Sequence, residues 1–203
     1  MQHESKTPLV ELDTAQPIWR RFFTVAPLVL IGTREGEEYN LAPKHMATPL
    51  GQGNFFGFVC TPRHATYRNI QANREFTVSF PRPEQVVLTS LAATARQEEC
   101  SLPKPVLAGL PTCKAERVDA LFLEDAYLLL ECELDRIVDG FADYSLIAGK
   151  IVRAAVRENA LRSSEQDEQQ LIYDHPLLAF LAFGRFATIR ESYAFPYPRA
   201  FKE

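Results

Sequence analysis

A proline set inside an apolar run is the tightest constraint in this sequence. Tyr39 to Thr48 reads as a strand, yet Pro43 stands in its middle. Proline has no N–H to give to a ladder, so such a strand is confined to a sheet edge, a bulge or a break. Backbone left unpaired there can face a ligand. The next run, Asn54-Phe55-Phe56-Gly57-Phe58-Val59-Cys60, is an aromatic strand. Thr61 then supplies an N-cap and Pro62 a first-turn proline, which predicts a helix from near Arg63 to Asn73.

The flanking chain repeats the strand pattern. Pro27 to Thr33 is dense in branched residues and reads as a buried strand, with Arg34-Glu35-Gly36-Glu37-Glu38 as a hairpin loop. Phe76, Val78 and Phe80 share one face of a strand at Glu75 to Phe80. Pro83 opens an expected second helix through Ala95, with Val87, Leu88, Leu91 and Ala95 as its core-facing stripe. Prolines at 103, 105 and 111 keep residues 96–120 irregular. Leu128, Leu130, Cys132 and Leu134 alternate with Glu131, Glu133 and Asp135, which predicts a half-exposed strand with its acids outward. Asp139-Gly140 marks a turn, and Tyr144 to Val156 reads as a strand apolar on both faces. Asn159 to Gln170 is a surface loop or solvated helix; Leu177 to Phe183 is apolar and stops at Gly184-Arg185. Pro17 to Phe23 is expected to form a helical turn packing its aromatics on the core, and Phe195-Pro196-Tyr197-Pro198 an extended tail lying across a surface. Consecutive strands with few helices between them predict a mainly β fold, an antiparallel barrel with peripheral helices. The division expected is an arm at 1–23, a barrel domain at 24–188 and a tail at 189–203.

A chain of 203 residues buries one sizeable core. Its 22 basic against 26 acidic residues give no reason to expect nucleic acid or an anionic membrane as partner. No apolar run approaches the ~20 residues of a membrane span. Met1 to Lys6 lacks the layout of a signal peptide, so a cytoplasmic protein is expected. Cys60, Cys100, Cys113 and Cys132 show no C-x-x-C spacing and read as free thiols, Cys60 and Cys132 in the core. The histidines are scattered, and no structural metal site is expected.

Two polar clusters carry possible chemistry. Thr61 to Asn69 combines helix-start N–H groups, the hydroxyls of Thr61 and Thr66, the cations Arg63 and Arg68, and His64, the set a phosphate requires. Lys44 and His45 follow Pro43 on the interrupted strand. The bland alternatives are an ordinary capped helix with a basic solvated face and an edge strand protected by charge. Residue chemistry alone leaves both pairs of readings open.

The order of the motifs adds a resemblance. Asn40-Leu41-Ala42-Pro43, then Thr66-Tyr67-Arg68-Asn69-Ile70, then Glu75-Phe76-Thr77-Val78 is similar to the flavin reductase-like family of FMN-binding split barrels. Leu130-Glu131-Cys132-Glu133-Leu134, Ile147-Ala148-Gly149-Lys150-Ile151-Val152, and Pro176-Leu177-Leu178 through Phe186 resemble its later strands. The likeness spans roughly residues 24–188. It implies a Greek-key split β-barrel that forms a homodimer and holds FMN near the dimer interface. It also implies oxidoreductase activity, passing hydride from NADH or NADPH through FMN to free flavin or another small acceptor. By position Asn40, Ala42 and Pro43 would contact the flavin ring, with Lys44, His45, Met46 and Ala47 beside it. Arg63, His64, Ala65 and Thr66 would hold the phosphate, with Asn69 supporting that turn. Phe55, Phe56, Phe58 and the aromatic tail would offer surface to the partner. Lys44, His45 and Met46, and His64 and Ala65 before Thr66, depart from the family pattern. Flavin chemistry needs no protein acid or base, so no catalytic side chain is assigned; Lys44 and His45 are candidates for tuning the flavin or meeting substrate. The alternative is a non-catalytic carrier or sensor binding flavin, or haem through His45, Met46 and His64. B6-phosphate oxidation or reduction of a small organic substrate would use the same scaffold.

Overall fold

Seven antiparallel strands curl into a half-barrel in the order β3-β2-β6-β9-β10-β5-β4. These are β2 (Val29–Glu35), β3 (Glu38–Lys44), β4 (Ala47–Pro49), β5 (Phe55–Cys60), β6 (Glu75–Phe80), β9 (Leu128–Phe141) and β10 (Tyr144–Val156). A second sheet joins β1 (Val25–Pro27), β11 (Leu177–Leu181) and β12 (Arg185–Ile189), and a hairpin pairs β7 (Thr112–Lys114) with β8 (Leu121–Leu123). Among the described residues three α-helices lie outside the sheets: α1 (Ala65–Asn73), α2 (Val86–Leu91) and α3 (Glu168–Asp174). The computed structural model describes residues 7–94, 105–163, 167–182 and 184–198. Among these no helix is long and apolar enough to cross a membrane.

The proline-interrupted strand lies where its chemistry demands. β3 is the outermost strand of the sheet and is paired on one side only, with Pro43 opposite Leu30 of β2. The expected strands at β2, β5, β6 and β10 are all present. Phe56, Phe58, Phe76 and Ile147 meet inside the barrel, with the Phe58 and Phe76 rings edge to face at 5.5 Å. Gly149 on β10 makes this possible: a Cβ there would stand 2.5 Å from Phe76 Cζ. Cys60 and Cys132 are buried here, as expected; burial and then the Glu131 charge push the Cys132 thiol up to about 12. Cys113 is half-buried, and Cys100 lies outside the described residues.

Several expectations are corrected. Glu131 does not face outward with its neighbours; it is fully buried. The residues after Leu110 fold back as the β7–β8 hairpin over the polar face of β6 and β9. Glu131 accepts the N–H groups of Glu116, Arg117 and Val118 at 3.1, 2.6 and 3.1 Å on Oε2, and Arg153 Nη1 at 3.2 Å on Oε1. Thr77 Oγ1 donates to Leu121 O, Ser79 Oγ accepts from Leu123 N–H, and Glu75 accepts from Asp119 N–H. Gly32 admits this hairpin, since its Cβ would lie 2.1 Å from Leu121 O. The helix expected from Pro83 ends at Leu91 after a 3-10 turn at Pro83–Gln85. It buries Thr89 and then Ala92, whereas Val87 and Leu91 are exposed and Ala95 lies outside the described residues. Polar Gln85 and Thr89 face inward because each hydroxyl and amide finds a carbonyl, of Gln85 and Glu124.

The turn expected at Asp139-Gly140 falls later, at Ala142-Asp143, because β9 runs on to Phe141. The outer half of β10 alternates half-buried and exposed residues and is not apolar on both faces, because it extends past the core. Trp19, Phe22 and Phe23 are exposed on this chain, as are the tail residues Tyr193, Phe195 and Tyr197. Phe56 and Phe58 belong to the core and give the surface nothing. Phe183 lies outside the described residues.

Candidate functional site

The edge strand and the start of α1 face one cavity of about 440 Å³. Along β3 the alternation of a strand sends Asn40, Ala42 and Lys44 to the cavity, with Pro43 beside them. Leu41, pointing the other way, packs with Leu30, Leu110 and Leu123. The opposite wall is Arg63, His64, Ala65 and Thr66, joined by Arg68, Ala93 and Thr94. The first N–H groups of a helix have no partners within it, so the start of α1 turns donors and the positive end of its dipole toward this wall.

Its N-cap is not the expected residue. His64 takes the extended cap conformation with no side-chain cap bond, and α1 begins at Ala65. Thr61 instead closes the preceding turn, its carbonyl accepting His64 N–H at 3.0 Å. Pro62 therefore lies in that turn and not in the helix.

The cavity is cationic. Lys44, Arg63, His64 and Arg68 line it, and no carboxylate does so among the described residues. Lys44 Nζ lies 3.5 Å from His64 Nδ1. Arg68 Nη1 donates to Arg63 O at 2.6 Å, and Arg63 Nη2 meets Asp143 at 2.9 Å, an exposed pair. Asn40 is 2% exposed, and its Oδ1 accepts no hydrogen bond.

Four expected residues do not line the cavity. His45 turns away and stacks on Phe180 of β11, with ring centroids 4.4 Å apart. Burial, then the Lys44 charge, lower its affinity for a proton. Met46 is exposed, and its carbonyl pairs with Val59 N–H. Ala47 is in the core. Asn69 bridges α1 to β2 by donating to Thr33 Oγ1 at 3.0 Å. His45, Met46 and His64 thus have separate surroundings, which gives a haem-ligand set no geometric support. No cluster of three His, Cys, Asp or Glu fit to hold a metal occurs among the described residues. Arg68, a cation of the cluster expected at Thr61 to Asn69, lines the cavity as well, and Ala93 and Thr94 are additions. Helical spacing places Arg68 one turn beyond His64; nothing in the sequence points to Ala93 and Thr94.

Residues 20–182 match the model of the flavin reductase like domain. The chain belongs to the flavin reductase-like family. Its split-barrel fold recurs in solved structures at low identity. The FMN-binding protein of Thermus thermophilus superposes with a TM-score of 0.74 at 20% identity, covering 93% of this chain and 99% of that one. Component B of the Bacillus cereus nitrilotriacetate monooxygenase gives 0.77 at 17%, covering 93% and 100%. An NADH:FAD oxidoreductase of Streptomyces globisporus gives 0.71 at 14%, covering 89% and 98%. In this chain the edge strand and the helix start form a pair of walls, with Lys44 and His64 in contact between them.

Proposed function

We propose that this chain is an FMN-dependent oxidoreductase that passes reducing equivalents from NADH or NADPH to free flavin or another small acceptor. The observation that carries the reading is Asn40. Its buried Oδ1, unpaired on the wall of a cation-lined cavity, is an acceptor waiting for a donor. An unpaired buried polar atom costs about 1–3 kcal/mol, and a flavin ring system carries an N–H able to relieve it. The cavity volume falls within the range of cofactor sites. Family membership and a fold shared with flavin-handling enzymes support the same conclusion.

On this reading Asn40, Ala42 and Pro43 lie along the ring, and Arg63, His64, Ala65 and Thr66 hold the phosphate. FMN when bound supplies the hydride-accepting centre, and the protein supplies binding, orientation and electrostatics. Lys44, Arg63 and Arg68 provide positive charge that favours an anionic ligand, and the start of α1 adds N–H donors. The edge position of β3 leaves one side of its backbone free of strand pairing. None of these residues is required to move a proton.

The reading extends to a homodimer working in the cytoplasm. Trp19, Phe22, Phe23 and Phe186 are exposed on the single chain, and apolar surface of that kind marks interfaces. Light scattering at micromolar concentration should give twice the chain mass. FMN titration tests the central claim. Saturating FMN, at about 100 times Kd, should stabilise the fold by about 2.7 kcal/mol, and the complex should oxidise NADH or NADPH. A protein with no measurable FMN affinity overturns it.

A further inference from the structure

His64 and Lys44 approach each other from different elements, and a third group joins them. Lys44 Nζ is 3.5 Å from His64 Nδ1, and Cys60 Sγ is 3.8 Å from the same nitrogen. The ammonium separation is long for a hydrogen bond, but its sense is unambiguous. A lysine ammonium has three donors and no lone pair. The ring nitrogen that faces it is therefore the acceptor. A proton on Nδ1 would set donor against donor, and a doubly protonated ring would set cation against cation. Cys60 reinforces this choice: burial keeps its thiol protonated, with one hydrogen to share between that nitrogen and Thr61 O. Arg63 and Arg68 add positive charge to the same walls.

We propose that Lys44 fixes His64 as the neutral tautomer with Nδ1 bare and the proton on Nε2, so that His64 serves the cavity as an N–H donor of set direction. Lys44 is then a positioning residue acting through His64, in addition to its own charge. A neutral imidazole with a fixed N–H supports an anion without first taking a proton from water. The assignment rests on the FMN reading only for the ligand's identity.

Long-range nitrogen–proton NMR of histidine-labelled, ligand-free protein at neutral pH decides the tautomer, with His64→Phe assigning the signals. The expected result is a neutral ring protonated at Nε2. Lys44→Met should move the Nδ1 signal toward a tautomer mixture, whereas Lys44→Arg, also a pure donor, should keep it. A wild-type ring protonated at Nδ1 or at both nitrogens overturns the proposal, as does an Nδ1 signal unmoved in Lys44→Met. Saturating FMN should then shift the Nε2 signal. His64→Gln, whose amide N–H stands in for Nε2–H, should bind FMN at least about tenfold more tightly than His64→Phe, the loss expected for one hydrogen bond to a charged group. Bound FMN with an unmoved Nε2 signal, or equal affinities of the two variants, overturns the ligand half. Absence of FMN binding together with the expected tautomer would sink the cofactor reading and leave the Lys44–His64 assignment standing.

Discussion

Replacing Glu131 by glutamine preserves its shape and removes its charge. The carboxylate is wholly buried and works on two sides: Oε2 takes the N–H groups of Glu116, Arg117 and Val118, and Oε1 takes Arg153. Glutamine has one acceptor oxygen and one NH2 group. If the oxygen faces the three N–H groups, the NH2 meets the Arg153 guanidinium, donor against donor. Flipped, it faces the N–H groups and strands them. Breaking a buried charged pair costs about 3–5 kcal/mol. Arg153 is about 30% exposed and keeps Glu116 as a second partner, so the lower end applies. About 3 kcal/mol in a chain of this size lowers Tm by roughly 6–12 °C. Calorimetry measures the shift, and hydrogen exchange locates it: protection should fall first in the β7–β8 hairpin. Arg153→Met should cost less, because the three backbone bonds survive. A Glu131→Gln protein melting within about 2 °C of wild type, or losing protection evenly, would refute the idea that this carboxylate anchors the hairpin.

Stability should also fall in alkali. The unfolded Cys132 thiol ionises near pH 9, whereas the buried one resists until about 12. The folded state therefore holds the extra proton, and stability drops by about 1.4 kcal/mol per pH unit across that window; urea melts of Cys132→Ala should show a shallower decline. Asn40→Ala should weaken FMN binding at least about tenfold while leaving the ligand-free Tm within about 2 °C, since it deletes an acceptor that has no partner there. Gly149→Ala sets a methyl 2.5 Å from Phe76 Cζ and should destabilise by about 1–3 kcal/mol, read from denaturant melts.

The strands were legible because their signals were local. Pro43 announced an edge, and the edge is there; Phe76, Val78 and Phe80 alternate as their period requires. The site was legible in part for the same reason. Period-two alternation sends Asn40, Ala42 and Lys44 to one face, and the same alternation turns His45 away toward Phe180. Glu131 was illegible. An acid in an alternating strand reads as solvent-facing until something covers it, and what covers it is a hairpin from a proline-rich stretch with no strand pattern. Val87 misled in the opposite direction: Gln85 Nε2 ties the helix start to Glu124 O and Thr89 satisfies its hydroxyl on Gln85 O within the helix, so these polar residues are buried beside Leu88 while Val87 is exposed. Thr61 was a good cap by type, but the turn it closes delays the helix to Ala65.

The clasp on the β7–β8 hairpin reads main chain and not side chains. Glu131, Thr77 and Ser79 meet only amide and carbonyl groups of the hairpin, which every residue except proline presents alike. The covering segment is thereby released from selection at its exposed positions, while Val118, Ala120, Phe122 and Leu123, which it buries, and Gly32 beneath it are not. Among relatives, variation should gather in the cover and spare its fasteners. A designer could rewrite the exposed positions Lys114 and Arg117 with any residue but proline and keep the fold.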